Sequence, residues 1–304
     1  MKRYLKVIFI LCLLFISLTV TADGNNLVYF GPQWEKGDTT TYQITKTITT
    51  NNIKQQDISS KFAVEVLEKN EDGYVLQWTN YDYSSEKDNN ATLNNKIMQI
   101  TSNIDIQYKT DIYGSFQEFI NMSEIKEKLK KTADTAAENM SQQEKKIFEN
   151  IIKTVFKTDN QINMLLSRDI NILHYPSFYF YEYEIDSRYE GGVSIPNPWG
   201  GDNLPGVIDI TADKKKDGLN IVKVNQELDQ NQATALVKEV VDEMLSQSGI
   251  KAPADEFVDE FVITDDYRCK FRDGDNWLQE AEHVREISVG IVTRKDTVKI
   301  VKID

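Results

Sequence analysis

Residues 63–78 read AVEVLEKNEDGYVLQW, two alternating apolar runs on either side of Asp72-Gly73. Alternation with period two is the pattern of a half-buried strand, and Asp-Gly supplies the positive φ that a tight hairpin turn needs. Phe62 to Val66 and Tyr74 to Trp78 therefore predict an antiparallel hairpin. A similar unit recurs at residues 207–224, VIDITADKKKDGLNIVKV, with its own Asp-Gly at Asp217-Gly218. A third Asp-Gly pair, Asp273-Gly274, follows the strand-like run Tyr267 to Phe271. The recurrence suggests two related β-meander halves.

Outward from the first hairpin, residues 39–50 (TTTYQITKTITT) are rich in β-branched side chains and place Tyr42, Ile44 and Ile48 on one face. At the other end, Ile287, Val289 and Ile291, then Val298 and Ile300, predict a terminal hairpin that turns at Arg294-Lys295-Asp296 and closes the sheet.

Helical spacing lies between the halves. Asn121-Met-Ser-Glu124 and Ser141-Gln-Gln-Glu144 fit the capping-box pattern. After the second box, Ile147, Phe148, Ile151, Ile152, Val155 and Phe156 form a stripe that must be buried. The first helix, with Ile125, Leu129, Ala133, Ala136 and Met140, has weaker apolar teeth and is expected outside. A third short helix through Ile162, Leu165 and Leu166 is expected to end before Pro176, which lacks an N–H and restricts its predecessor. A later helix over 229–249 carries Leu236, Val237, Val240, Val241, Met244 and Leu245, with Gly249 to cap it.

Strands joined by tight turns, with helices in blocks, define an α+β class with an antiparallel, curved sheet and helices packed on one face. The organisation reads as a signal peptide over 1–22, an N-terminal β-meander half over 23–120, a helical segment over 121–175 and a C-terminal β-rich half over 176–304. These parts can form one continuous domain.

The leader rests on Lys2, Arg3 and Lys6 ahead of the apolar run VIFILCLLFISLTV, with Val20 and Ala22 as the small residues before a cleavage point. The run is shorter than a spanning helix needs, so cleavage near Ala22 and release of an exported chain without stable membrane insertion are expected. Cys12 falls inside the run behind Leu11, an unsuitable place for lipid attachment. Loss of the leader makes the formal charge of −13 three units more negative. An acidic chain without a basic run repels phosphate backbones, which excludes nucleic acid as a partner. Cys269 alone would remain, so no internal disulfide is expected and its thiol reads as buried and inert.

The catalytic inventory is thin. His174 and His283 are the only histidines, and neither has a nucleophile or metal-ligand partner at a recognised spacing. The acidic residues Asp255, Glu256, Asp259, Glu260, Asp265 and Asp266 do not match a calcium loop. No metal and no cofactor are expected. Asn90, Asn121 and Asn139 each head an Asn-x-Ser/Thr triplet, which matters only where the host glycosylates exported chains.

The most unusual segment runs from Pro176 to Gly206. Tyr179, Tyr181 and Tyr183 are expected on one face of a strand, followed by GGVSIPNPWGGDNLPG with Trp199 at its apex. A long aperiodic loop is a frequent carrier of function, and these four aromatics are the candidate ligand contacts. The layout resembles that of periplasmic lipoprotein carriers in architecture alone, with no shared residue motif. The reading is a non-enzymatic exported protein that holds an apolar, lipid-like small molecule or a protein partner against a curved sheet. The alternatives are a secreted hydrolase using paired carboxylates and a structural or surface-assembly protein.

Overall fold

The computed structural model describes residues 27–29, 31–85, 104–138, 140–179, 182–195, 203–214, 218–232, 237–238, 261–272, 275, 277–289 and 292–304. The strands are β1 (Leu27–Tyr29), β2 (Thr39–Thr50), β3 (Ile53–Asn70), β4 (Gly73–Ser85), β5 (Asp105–Thr110), β6 (Phe116–Phe119), β7 (Glu182–Glu184), β8 (Arg188–Ile195), β9 (Leu204–Lys214), β10 (Leu219–Leu228), β11 (Phe261–Arg272), β12 (Glu280–Val289) and β13 (Val292–Lys302). Three helices lie between β6 and β7: α1 (Met122–Ala137), α2 (Gln142–Val155) and α3 (Asp159–Tyr179).

Eleven strands form one antiparallel sheet in the order β6-β5-β4-β3-β2-β13-β12-β11-β10-β9-β8, and β1 pairs with β7 in a small second sheet. Two meanders thus run outward from a shared middle. The seam is the β13–β2 pair, where Val298 faces Lys46 and Ile300 faces Ile44. The last hairpin therefore joins the halves at the centre of the sheet. Its turn also differs from the expected one: Val289 faces Val292, while Arg294, Lys295 and Asp296 are paired residues of β13. The sheet is curved, and its ladders shift at Ile48/Thr49, between Ser59 and Lys61, and between Val66 and Glu68. Such irregularities bend a strand and raise its twist.

The first hairpin forms as its sequence predicts. Gly73 opens β4 at φ +142, and a Cβ there would lie 2.1 Å from the Thr110 carbonyl oxygen, so only glycine fits. Gly218 opens the β9–β10 ladder at φ +77. Gly274 lies outside the described residues.

Alternate side chains of the large sheet are buried on one face. Tyr42 and Ile44 of β2, Phe62, Val64 and Val66 of β3, and Leu76 and Trp78 of β4 join Ile106, Tyr108, Val298 and Ile300 in the main core. The helices cover this face. Contrary to its weak apolar teeth, α1 is docked in the core through Ile125, Leu129, Ala133 and Ala137, spaced four residues apart so that they share one face. Helix α2 buries Phe148 and leaves Ile147 exposed, with Ile152 and Phe156 half-buried against the core. A second, smaller cluster gathers Ile195, Leu204, Leu228, Val237, Phe261 and Ile263. Val237 belongs to the helix expected over 229–249, most of which lies outside the described residues.

Helix α3 corrects two expectations. It continues through Pro176 to Tyr179, so Tyr179 ends a helix and does not begin a strand. A proline inside a helix deprives the carbonyl four residues earlier of its donor. Here that carbonyl belongs to Ile172, and Tyr267 Oη donates to it at 2.9 Å. The sheet supplies the hydrogen bond that the helix cannot.

Asn121 likewise departs from its expected role. It stands at the N-cap of α1 but makes no side-chain cap. Its Oδ1 accepts from the backbone N–H of Gln107 (2.9 Å), and its Nδ2 donates to the Asp105 carbonyl (3.1 Å), which ties the helix start to β5.

Candidate functional site

On the covered face, the apolar alternation is interrupted in adjacent strands at the same level. In β10 Gln226 stands between Val224 and Leu228, and in β11 Asp265 stands between Tyr267 and Ile263. The registers place Gln226 opposite Asp265, Asp265 opposite Arg285 of β12, and Arg285 opposite Asp296 of β13. The result is a polar row perpendicular to the strands. In β10 and β11 it separates the main core from the second cluster.

Every charge in the row has a counter-charge close by. Asp265 is 6% exposed, and its Oδ1 lies 2.9 Å from His283 Nε2 and 3.7 Å from Arg285 Nε. Arg294 holds Asp296 with two contacts, of 2.9 and 3.1 Å. Arg168 of α3 reaches the same carboxylate at 3.7 Å. The next residue of α3, Asp169, pairs with Lys46 of β2 at 2.5 Å. At the other end of the row, Gln226 Nε2 donates to Tyr175 Oη at 2.9 Å. Helix α3 thus meets this row at two points, through Arg168 and Tyr175.

Beside Asp296 lies a cavity of about 180 Å³ between α3 and the sheet. Its walls are Ile48 of β2, Ile58 of β3, Trp78 of β4, Ile106 of β5, Val298 of β13, and Leu165 and Leu166 of α3. Lys46, Gln56, Asn80, Arg168, Asp169 and Asp296 add polar groups to its lining. Two cations and two carboxylates balance. Asp169 Oδ1 is buried and meets no hydrogen-bond partner among the described residues. In size the cavity lies near the ~150 Å³ of an engineered apolar cavity that holds benzene, and below the ~300 Å³ typical of drug-sized pockets. It can enclose a ring or part of a chain.

Of the aromatics singled out from sequence, Tyr183 is buried, opposite Val28 in the β1–β7 pair and edge-on to Tyr189. Tyr179 is the last residue of α3. Tyr181 and Trp199 lie outside the described residues, as do Asn90, Asn139 and residues 255–260. The residues brought together at the cavity are others: Lys46, Arg168, Asp169 and Asp296. Their sequence signal is a charge at the buried parity of an otherwise apolar alternation, such as Lys46 after Tyr42 and Ile44, or Asp265 between Ile263 and Tyr267.

The remaining unusual side chains are structural. His174 is buried inside α3, not at a helix end or in a loop, and burial pushes its imidazole down to about 3. It stays neutral, and its Nε2 meets Tyr108 Oη at 2.9 Å. Because an unfolded histidine binds a proton at a higher pH than this buried one, acidification below the ordinary histidine range works against the folded state. Cys269 is buried and its thiol is pushed up by desolvation, which suits an inert side chain. Among the described residues no group of three or more His, Cys, Asp or Glu is placed to hold a metal ion, and no helix is long and apolar enough to cross a membrane.

The fold and site together define an α+β protein with a two-meander sheet and an amphiphilic cavity under α3. No known family model matches the chain, and no curated protein does. Among solved structures, the chain is similar to lipovitellin, in a study of that protein's lipid–protein interactions. The identity is 8% and the TM-score 0.43, over 90% of this chain and 26% of that one. The chain thus spans about a quarter of the lipovitellin chain. A likeness of that degree assigns neither family nor ligand.

Proposed function

We propose that this protein is exported and holds an apolar, lipid-like ligand between α3 and the curved sheet. The observation that carries the reading is the cavity walled by Ile48, Ile58, Trp78, Ile106, Leu165, Leu166 and Val298. Apolar concave sites with a few convergent polar groups are the usual form of small-molecule sites. Tyr181 and Trp199 are proposed as further contacts, since aromatic side chains offer large apolar area at low ordering cost. The two carboxylates at the cavity, Asp169 and Asp296, are each engaged by cations, so the hydrolase alternative gains no support from them.

Binding of an environment-sensitive apolar dye tests the reading. Leu165 is half-buried on the cavity wall, and Leu165→Trp should fill the space. The dye should then bind about tenfold more weakly or worse, the scale of one lost apolar contact of 1.5–3 kcal/mol, with the melting temperature little changed. Undiminished binding by this variant would place the dye elsewhere and remove the cavity as the site.

Export has its own check. Protein recovered outside the cytoplasm should have the intact mass of a chain that begins at Asp23, and a full-length mass or a lipid adduct on Cys12 would contradict it.

A further inference from the structure

We propose that the polar end of the cavity selects amphiphiles whose head group donates a hydrogen bond, with Asp169 Oδ1 as the acceptor that reads it. The inference rests on the apolar-ligand reading above and specifies the other end of the same ligand.

The argument starts from Asp169. Its Oδ2 is taken by Lys46 Nζ at 2.5 Å, whereas its Oδ1 is buried without a partner among the described residues. Buried polar atoms in folded proteins are nearly all hydrogen-bonded, because an unmet one retains its full desolvation cost. Asp169 lines the cavity together with Trp78 and Leu166, so a ligand with its chain against those walls brings its head to the carboxylate. A carboxylate oxygen only accepts. The complementary head is therefore a hydroxyl or an ammonium group.

The surrounding charges point the same way. Lys46 and Arg168 would attract an anionic head if they were free, but Lys46 is paired with Asp169 and Arg168 with Asp296. The four groups balance, and Arg294 adds a second cation to Asp296 from an exposed position. A fatty-acid head would bring further acceptors against two carboxylates, and the ammonium beside Asp169 is already held in the Lys46 pair. A donor head leaves both ion pairs intact and satisfies Asp169 Oδ1.

Competition by three ten-carbon amphiphiles against the bound dye tests this on the full chain. Decanol and decylamine should each displace the dye about tenfold or more better than decanoate, the scale of one hydrogen bond to a charged group. Asp169→Asn supplies a second, directional readout. Lys46 can only donate, so the amide oxygen turns to it and the NH₂ faces the cavity, which replaces the acceptor by a donor. The variant should shift the preference toward decanoate.

The wild-type series is decisive even where the variant fails to fold. Equal displacement by all three compounds, or a preference for decanoate, overturns the head-group assignment while the apolar reading stands. Failure of all three to displace the dye from the wild-type protein overturns both.

Discussion

Replacing Phe62 by Ala should destabilise the protein by about 3–5 kcal/mol, the cost of deleting a large aromatic side chain from a packed core. Phe62 has no exposed surface and lies between two other rings. Its centroid is 5.2 Å from that of Tyr42 and 3.6 Å from that of Trp78, with the latter pair of planes 9° apart. The three rings belong to β2, β3 and β4, so the stack binds the N-terminal meander across its strands. Packed aromatic pairs add about 0.5–1.5 kcal/mol beyond the area they bury. Denaturant unfolding measures the loss, and Phe62→Leu should recover much of it because that change keeps most of the volume apolar. A loss below about 1 kcal/mol for Phe62→Ala, the size of an ordinary surface change, would mean that the stack does not anchor the core. The variant also bears on the cavity, since Trp78 forms part of its wall and rests on Phe62.

The residues of that stack were legible in sequence because period-two alternation fixes which side chains of a strand share a face. Tyr42, Phe62 and Trp78 all occupy the apolar parity of their runs, and Asp72-Gly73 fixes the turn between two of them. What alternation does not show is which distant strand lies alongside. Arg294-Lys295-Asp296 resembles a turn when taken alone. In the fold it is strand, because Asp296 is held by Arg294 and lies under Arg168 of α3. Pro176 resembles a helix stop for the same reason: the Tyr267 hydroxyl that replaces the missing donor comes from a strand 95 residues away in sequence. The small size of Ala133 and Ala137 gives α1 the sequence pattern of an outer helix, yet small side chains allow a helix to approach its support closely. The candidate site was the least legible part. Each of its charges is a single interruption in one strand, and only the registers of β10 to β13 show that the interruptions coincide.

That polar row is the subject of the second large prediction. Asp265→Ala should cost about 3–5 kcal/mol, the usual penalty for removing one partner of a buried ion pair. The side chain of Asp265 is 8% exposed, and its Oδ1 lies 2.9 Å from His283 Nε2 and within ion-pair distance, 3.7 Å, of Arg285 Nε. Its removal takes that carboxylate from two side chains that are themselves only 16% and 21% exposed. The penalty arises from the groups left behind and is not the worth of the pair. A joint Asp265→Leu, Arg285→Met change should therefore recover most of the stability, since well-packed apolar residues often replace buried ion pairs at little cost. Urea unfolding of the two proteins under identical conditions distinguishes the cases. A mild effect of Asp265→Ala would mean that solvent reaches the row, and it would be a channel open to water. A joint variant no more stable than Asp265→Ala would mean that the charges specify how the strands pair and that the row is part of the architecture. A recovered joint variant would show that the fold does not need these charges. Their persistence across the covered face would then be explained by what they meet there, and dye binding by that stable variant, compared with the wild type, would measure how far the row extends the site that begins at Asp169.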